Sequence, residues 1–301
     1  MAKKLPPVLT APVEKPGLYD LEHDEYHADP CPVPSLNHTV AKIIHDKSPH
    51  HAFKVHPRLG GEKGKAARIM DIGSAAHTLA IGAGAKIAPL RFKDYRTKAA
   101  QETRDALIAS GVTPLLQPDY DTVQAMFPLL RAAIEDVAGA KIDALHRELS
   151  VIGKDGESWS RCKPDVMTPD LRLIIDAKTT ASAHPDAYGR MIMSGYATAV
   201  AFTFQTLDLI DPEGRGKRRY VFVVQERDYP EAITYHELDP TALELADAQM
   251  KRARLRWTLC SHTNSWPAYD RGPHMVIPRQ FEIDDELDRQ FEDASKNGGA
   301  Q

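Results

Sequence analysis

Residues 158–180 read SWSRCKPDVMTPDLRLIIDAKTT, and three side chains within them could do chemistry together. Asp165 follows Pro164, ten residues separate it from Asp176, and Lys178 stands two further on. Two carboxylates and an amine suit a hard divalent cation on a phosphodiester. Mg2+ takes oxygen ligands and keeps several waters, so a few carboxylates plus the substrate phosphate suffice. Such a cation lowers the pKa of a water and offsets charge on the scissile phosphate. A neighbouring lysine orients that water or stabilises the developing oxyanion. Alone, a PD…DxK match is a weak signal, because Asp–Lys pairs at strand ends and Pro-Asp turns are common.

The elements that must position these groups can be read from the same stretch. Residues two apart in a strand share a face, so Asp176 and Lys178 point the same way. The apolar run Leu173-Ile174-Ile175 supplies the buried part of that strand. Trp159 to Met167 can form its antiparallel partner, with Pro169-Asp170 at the centre of a tight turn. A two-residue turn pairs Thr168 with Leu171 and sets Asp165 opposite Ile174. Asp165 and Asp176 then become diagonal neighbours on one face, about 7–8 Å apart at the backbone. A one-residue slip would send Asp165 to the other face.

Two further segments bear on the site. Residues 148–153, ELSVIG, read as another strand, followed by an Asp155-Gly156 hairpin turn. Glu148 at its start either adds a third carboxylate or is a solvated edge residue, and the sequence admits both. Met70 to Ala80 reads as a helix with small residues on one face. Gly73 and His77 are four apart and share a side, where the histidine can reach a metal or phosphate or simply pack.

Taken in order, GxxxH, Glu, PD and DAKTT resemble the RecE-type exonucleases (exodeoxyribonuclease VIII) of phages and prophages, within the PD-(D/E)XK nuclease superfamily. Pro34-Ser35-Leu36 followed by Lys47-Ser48-Pro49-His50 is similar to that family's opening helix and turn. Tyr220 to Glu226, then Tyr229-Pro230, resembles its later strand. The resemblance runs from about residue 17 to about residue 285. It implies metal ligation by Asp165 and Asp176, with Lys178 as the catalytic lysine and His77 and Glu148 completing the metal and water environment. The family's Tyr-x-x-Gln-x-Ala-x-Tyr helix falls at Gly195–Thr203, where Tyr196 is retained but Ala199 and Thr203 stand in place of the glutamine and second tyrosine. Gln205 lies nearby but faces elsewhere on the helix.

The resemblance further implies an α/β restriction-endonuclease-like fold with a mixed central sheet flanked by helices. The implied activity is Mg2+-dependent (or Mn2+-dependent) DNA hydrolysis from the 5′ side of duplex ends. Its partners would be duplex ends, a single-strand annealing recombinase and other copies of the chain in a ring. Two alternatives stand beside it: a single-strand-specific or endonucleolytic enzyme of the same superfamily, and a non-catalytic DNA-binding phage accessory protein. Ala199 and Thr203 give the last its weight; intact Asp165, Asp176 and Lys178 oppose it.

The 301 residues suffice for one large domain, expected over residues 18–295 between a flexible proline-rich leader, 1–17, and a disordered tail, 296–301. No apolar run approaches a membrane span and proline interrupts the N-terminus, so cytoplasmic residence in a bacterial or phage-infected cell is expected. Cys31, Cys162 and Cys260 lack the paired spacing of a disulfide framework, zinc knuckle or four-cysteine iron–sulfur cluster. The formal charge of −4 does not report the local field. Basic runs at 215–219 and 251–256 either grip phosphates or are ordinary solvated surface. Arg161, Lys163, Tyr196, Gln205, Lys217, Arg218 and Arg219 are the candidate DNA contacts. Gly64-Lys65 is not a P-loop, because Leu59 and Ala66 replace the required glycine and hydroxyl residue.

Helices are expected up to about residue 147, including Pro118–Val137 with a kink or break at Pro128. Later elements are a helix near 186–209, strands at 220–226 and 232–238, a charged helix at 240–260 and a short acidic helix at 284–294.

Overall fold

In a computed structural model, residues 7–61, 72–82 and 86–297 are described. The expected first residues of the His77 helix, the Gly64-Lys65 pair and the last four residues lie outside them. The chain divides into two compact units at Ala268.

The strands, in chain order, are β1 (Val8–Leu9), β2 (Gly17–Tyr19), β3 (Leu36–Asn37), β4 (Lys86–Leu90), β5 (Val112–Leu116), β6 (His146–Arg147), β7 (Ser150–Asp155), β8 (Ser158–Cys162), β9 (Val166–Met167), β10 (Leu173–Thr180), β11 (Arg219–Glu226) and β12 (Ile233–His236). The α-helices are α1 (His23–His27), α2 (His38–Asp46), α3 (Pro49–Val55), α4 (Ile72–Ile81), α5 (Lys98–Ala109), α6 (Gln117–Ala138), α7 (Pro185–Met191), α8 (Ala197–Asp208), α9 (Pro240–Thr263) and α10 (Gln280–Asn297). One five-stranded sheet runs β1-β2-β7-β8-β3, a second runs β12-β11-β10-β9-β6, and β4 pairs with β5.

The second sheet is buried on both faces at its centre, which explains its nearly continuous apolar strands. Ile174, Tyr220, Phe222 and Val224 pack into a core with α2, α8 and α9. Ile175, Ala177, Val221 and Val223 face the other core, against α4 and α6. Strand periodicity therefore directs Asp176 and Lys178 to the α8 side, in line with Ile174. On α4, Ala76 and Ala80 are fully buried, the small-residue face that lets this helix approach closely. Gly153 does the same for α8: a Cβ there would lie 2.7 Å from Leu209 Cδ1 and 3.1 Å from the Thr206 carbonyl.

The mixed-sheet α/β expectation holds, with three revisions. Trp159–Met167 is not one strand: β8 belongs to the first sheet and β9 to the second, and Lys163-Pro164-Asp165 carries the chain between them. Pro164 lacks the amide proton a continuing ladder would need. The turn before β10 is longer than two residues. Asp170 accepts from the Thr168 hydroxyl (2.6 Å) and the Arg172 amide (3.0 Å), and buried Leu171 adopts φ +60°. Finally, the N-terminal half is not all helical, since five of its segments pair as strands before β6 (β1, β2, β3, β4 and β5).

Smaller differences follow the same logic. The segment expected as a flexible leader contains β1 paired in parallel with β2, and Val13 is buried. Helix α6 is continuous through Pro128, and it ends at Gly139 with φ +63°. The β7–β8 hairpin forms at the expected Asp155-Gly156 turn. In the second unit, α10 is longer than the expected 284–294 helix. No described helix is long and apolar enough to cross a membrane.

Candidate active site

Pairing of β9 with β10 sets Met167 against Ile174 and Val166 against Ile175. Continued by one residue, this register puts Asp165 directly opposite Asp176 rather than Ile174. The shift is two residues, so the face is the expected one and the carboxylates are closer than a diagonal pair. The β6–β9 register, extended the same way, adds Glu148 to the row. Its amide donates to the Asp165 carbonyl at 2.8 Å. Glu148 adopts φ +46°, at the point where the chain turns from β6 into β7 of the other sheet.

Each side chain in the row has a partner. Asp165 Oδ2 accepts from the Ala177 amide at 2.9 Å and lies 2.9 Å from His77 Nε2. Asp176 Oδ2 accepts from the Tyr220 hydroxyl at 2.8 Å, and its Oδ1 is in ion-pair contact with Lys178 Nζ. Glu148 is 4.0 Å from His77 Nδ1 and 3.8 Å from Lys163 Nζ. The five residues expected to carry the chemistry, His77, Glu148, Asp165, Asp176 and Lys178, thus converge.

The electrostatics separate the two aspartates. Burial pushes the Asp165 carboxyl up, but His77, Lys178 and the Ala177 amide outweigh it and hold it well below the usual range. Burial dominates at Asp176 and, helped by the Asp165 charge, raises its pKa despite Lys178 and Tyr220. Lys178 loses hydration by burial, yet attraction to both aspartates raises its pKa, so it stays cationic. His77 is likewise raised, because Asp165 overcomes burial. Two carboxylates with divergent affinities for a proton are a mark of functional sites.

Among the described residues, no group of three or more His, Cys, Asp or Glu is arranged to enclose a metal ion. The donor set still fits a hard cation that keeps water. Asp176 Oδ1 is buried with no hydrogen-bond partner among the described residues, beside its ion pair with Lys178. A buried carboxylate oxygen in that condition is suited to a cation.

The row opens into a cleft of about 1090 Å3. Tyr196 lines it and lies under Lys178, with the ammonium 5.5 Å from the ring centroid. Tyr196 closes a π-helical turn, Ile192–Tyr196, between α7 and α8, an irregularity frequent at functional sites. Ala199 and Thr203 also line the cleft.

Several expected nucleic-acid contacts lie elsewhere. Gln205 is outside the cleft, donating to Asp247 and accepting from Arg254 Nε at 2.7 Å. Arg161 borders the cleft but is 1 % exposed, neutralising buried Asp29 at 3.1 Å and donating to the Ser35 carbonyl. Arg218 is buried in ion pairs with Asp208 and Asp211. Arg219 is exposed but paired with Glu237 at 2.5 Å, and Lys217 is exposed. Lys163 lines the cleft with its ammonium on the Leu21 carbonyl at 3.1 Å.

Tyr220 and His38 complete the cleft without having been singled out. Tyr220 shares its face with Phe222 and Val224, so its position in the apolar run was the available signal. His38, 3.0 Å from Thr198 Oγ1, offered none beyond its residue type.

The family model for the PDDEXK-like domain of unknown function (DUF3799) matches residues 42–272. The chain belongs to this family. No curated protein sequence matches it. Among solved structures, this PDDEXK-like chain is similar to the "Putative exonuclease" of Eubacterium rectale. The TM-score is 0.50 and the identity 10 %, over 87 % of this chain and 97 % of that one. It is also similar to the alkaline exonuclease LHK-Exo of Laribacter hongkongensis (TM-score 0.27, 12 % identity, 63 % and 90 % covered). A phage-related exonuclease of Haemophilus somnus 129PT gives TM-score 0.29 and 11 % identity, with 66 % and 98 % covered. At these identities the first of the three supports the fold, and the PDDEXK-like core agrees with the observed row of acids.

Proposed function

We propose that this PDDEXK-like protein is a metal-dependent deoxyribonuclease that digests linear duplex DNA from 5′ ends, leaving 3′ single strands. The observation that supports this reading best is the placement of Asp165, Asp176 and Lys178 together in one cleft. Asp165 and Asp176 would hold Mg2+, or Mn2+, which supplies Lewis-acid polarisation of the scissile phosphate and acidifies a water.

The chain's own residues do the rest. Lys178 is cationic, so it orients the attacking water and stabilises the developing charge rather than abstracting a proton. The Ala177 amide and His77 fix Asp165 from two sides, and the Tyr220 hydroxyl fixes Asp176. Tyr196 covers the ammonium and limits its solvation. Exonucleolytic action, 5′ polarity, a ring of copies and an annealing recombinase as partner follow from the resemblance to RecE-type exonucleases and belong to the same proposal.

The test is digestion of linear duplex labelled separately at each 5′ and 3′ end, with Mg2+, Mn2+ or EDTA, beside a closed circle. Metal-dependent early loss of 5′ label with the circle intact supports the reading in full. Circle cutting replaces it with an endonuclease, and absence of cleavage under both metals replaces it with a DNA-binding role.

A further inference from the structure

The cleft carries a further pair of ligating side chains, on α1 rather than in the carboxylate row. His23 and His27 stand four residues apart on α1, with ring centroids 4.3 Å apart. That spacing puts both on one helix face. Both line the cleft and both are exposed.

The local sequence is acidic. No Lys or Arg occurs between Pro16 and Ala41, whereas Asp20, Glu22 and Asp24 are exposed beside the pair and Glu25 is half-buried. Burial, His23, Arg161 and Lys163 together lower the His27 pKa, which keeps the imidazole in the neutral form that ligates a metal, and both basic residues have acidic partners. Arg161 is held by Asp29 at 3.1 Å, and Lys163 lies 3.8 Å from Glu148. Imidazole also selects a different class of ion from the carboxylate row, since nitrogen ligands suit Zn2+, Cu2+ and Ni2+ and oxygen ligands suit Mg2+ and Mn2+. Two histidines at i and i+4 on a helix are a known chelating arrangement for Zn2+.

We propose that His23 and His27 form a two-imidazole site for Zn2+ on α1 in the wall of the cleft, made of different ligands from the Asp165–Asp176 pair. Solvent completes the coordination, because no third His, Cys, Asp or Glu is grouped with the pair among the described residues. The site is therefore open on one side.

The test is calorimetric titration of the full chain with Zn2+ under saturating Mg2+, for the unaltered protein, D176N and H23Q/H27Q. The unaltered protein and D176N should bind Zn2+ equally. H23Q/H27Q should bind at least about tenfold more weakly, a change of about 1.4 kcal/mol, with unchanged circular dichroism. As an independent readout, Cu2+ bound to the unaltered protein should show paramagnetic-resonance coupling to two nitrogens, and H23Q/H27Q should not. Equal Zn2+ affinity in H23Q/H27Q, or no Zn2+ binding by the unaltered protein, overturns the proposal. These readouts require no DNA, so they stand or fall independently of the nuclease reading.

Discussion

The Lys178 ammonium lies over the ring of Tyr196, 5.5 Å from its centroid. This contact joins the strand that carries the amine to the π-helical turn that lines the cleft. A partly desolvated cation–π contact contributes about 0.5–2 kcal/mol. Removing the ring in Y196A should therefore slow cleavage about 3- to 30-fold. Y196F keeps the ring and should stay near the original rate. Single-turnover digestion of labelled duplex checks both; equal rates for Y196A and Y196F would remove the ring from the mechanism.

D176N and K178A should each lower the single-turnover rate by at least about 100-fold, the scale of losing one preorganised electrostatic group. The thermal transition should persist in both. Cleavage retained in either purified variant would contradict the assigned site.

Q205A should have the opposite signature. It leaves the Nε of half-buried Arg254 without its acceptor, at a cost of about 1–3 kcal/mol. Denaturant midpoints should fall while the digestion rate of the folded protein holds. A rate loss with no stability loss would return Gln205 to the cleft.

The Arg218 side chain is 2 % exposed and bound to two aspartates. R218A should cost about 3–5 kcal/mol through the uncompensated charges left behind. It should leave the salt dependence of DNA binding unchanged. A shallower salt slope in R218A would mean that the side chain leaves its ion pairs to meet phosphate.

His38 gives a pH prediction. Burial, then nearby Lys42, pull its pKa down to about 4, against about 6.5 in an unfolded chain. Between those values the unfolded state binds more protons, so stability falls as pH drops through that window. Partial exposure reduces the effect to about 1–3 kcal/mol. Urea midpoints between pH 7 and pH 4 should fall less steeply for H38Q; equal slopes would show that His38 does not contribute.

The juxtaposition of Asp165, Asp176 and Lys178 was legible because it rests on residue types at short spacing along one hairpin-like stretch. The correct face for Asp165 survived a wrong register because the error was two residues, one full strand period. The turn was misread because buried Leu171 in a left-handed conformation is not a local preference; tertiary packing imposes it. Pro164 was read as lying inside one strand, Trp159 to Met167, whereas it divides two sheets. Arg161, Arg218 and Gln205 misled for one reason: a charge or an amide in sequence carries no sign of whether an internal partner already holds it. Strands β1, β2 and β3 escaped notice because segments of two or three residues have no periodicity to read.

The chain leaves the second sheet at Glu148, forms the β7–β8 hairpin in the first sheet, and returns to the second at Asp165. The two acids therefore sit on adjacent doorposts of the same passage, tied to each other through backbone. Neither sheet can slip or peel away without pulling the acidic row apart. Loss of activity on warming should then coincide with the global transition of the first unit, and not precede it as local melting. For engineering, the β7–β8 hairpin tip can be lengthened freely, whereas a single residue inserted at either doorpost would disable the site in a protein that still folds.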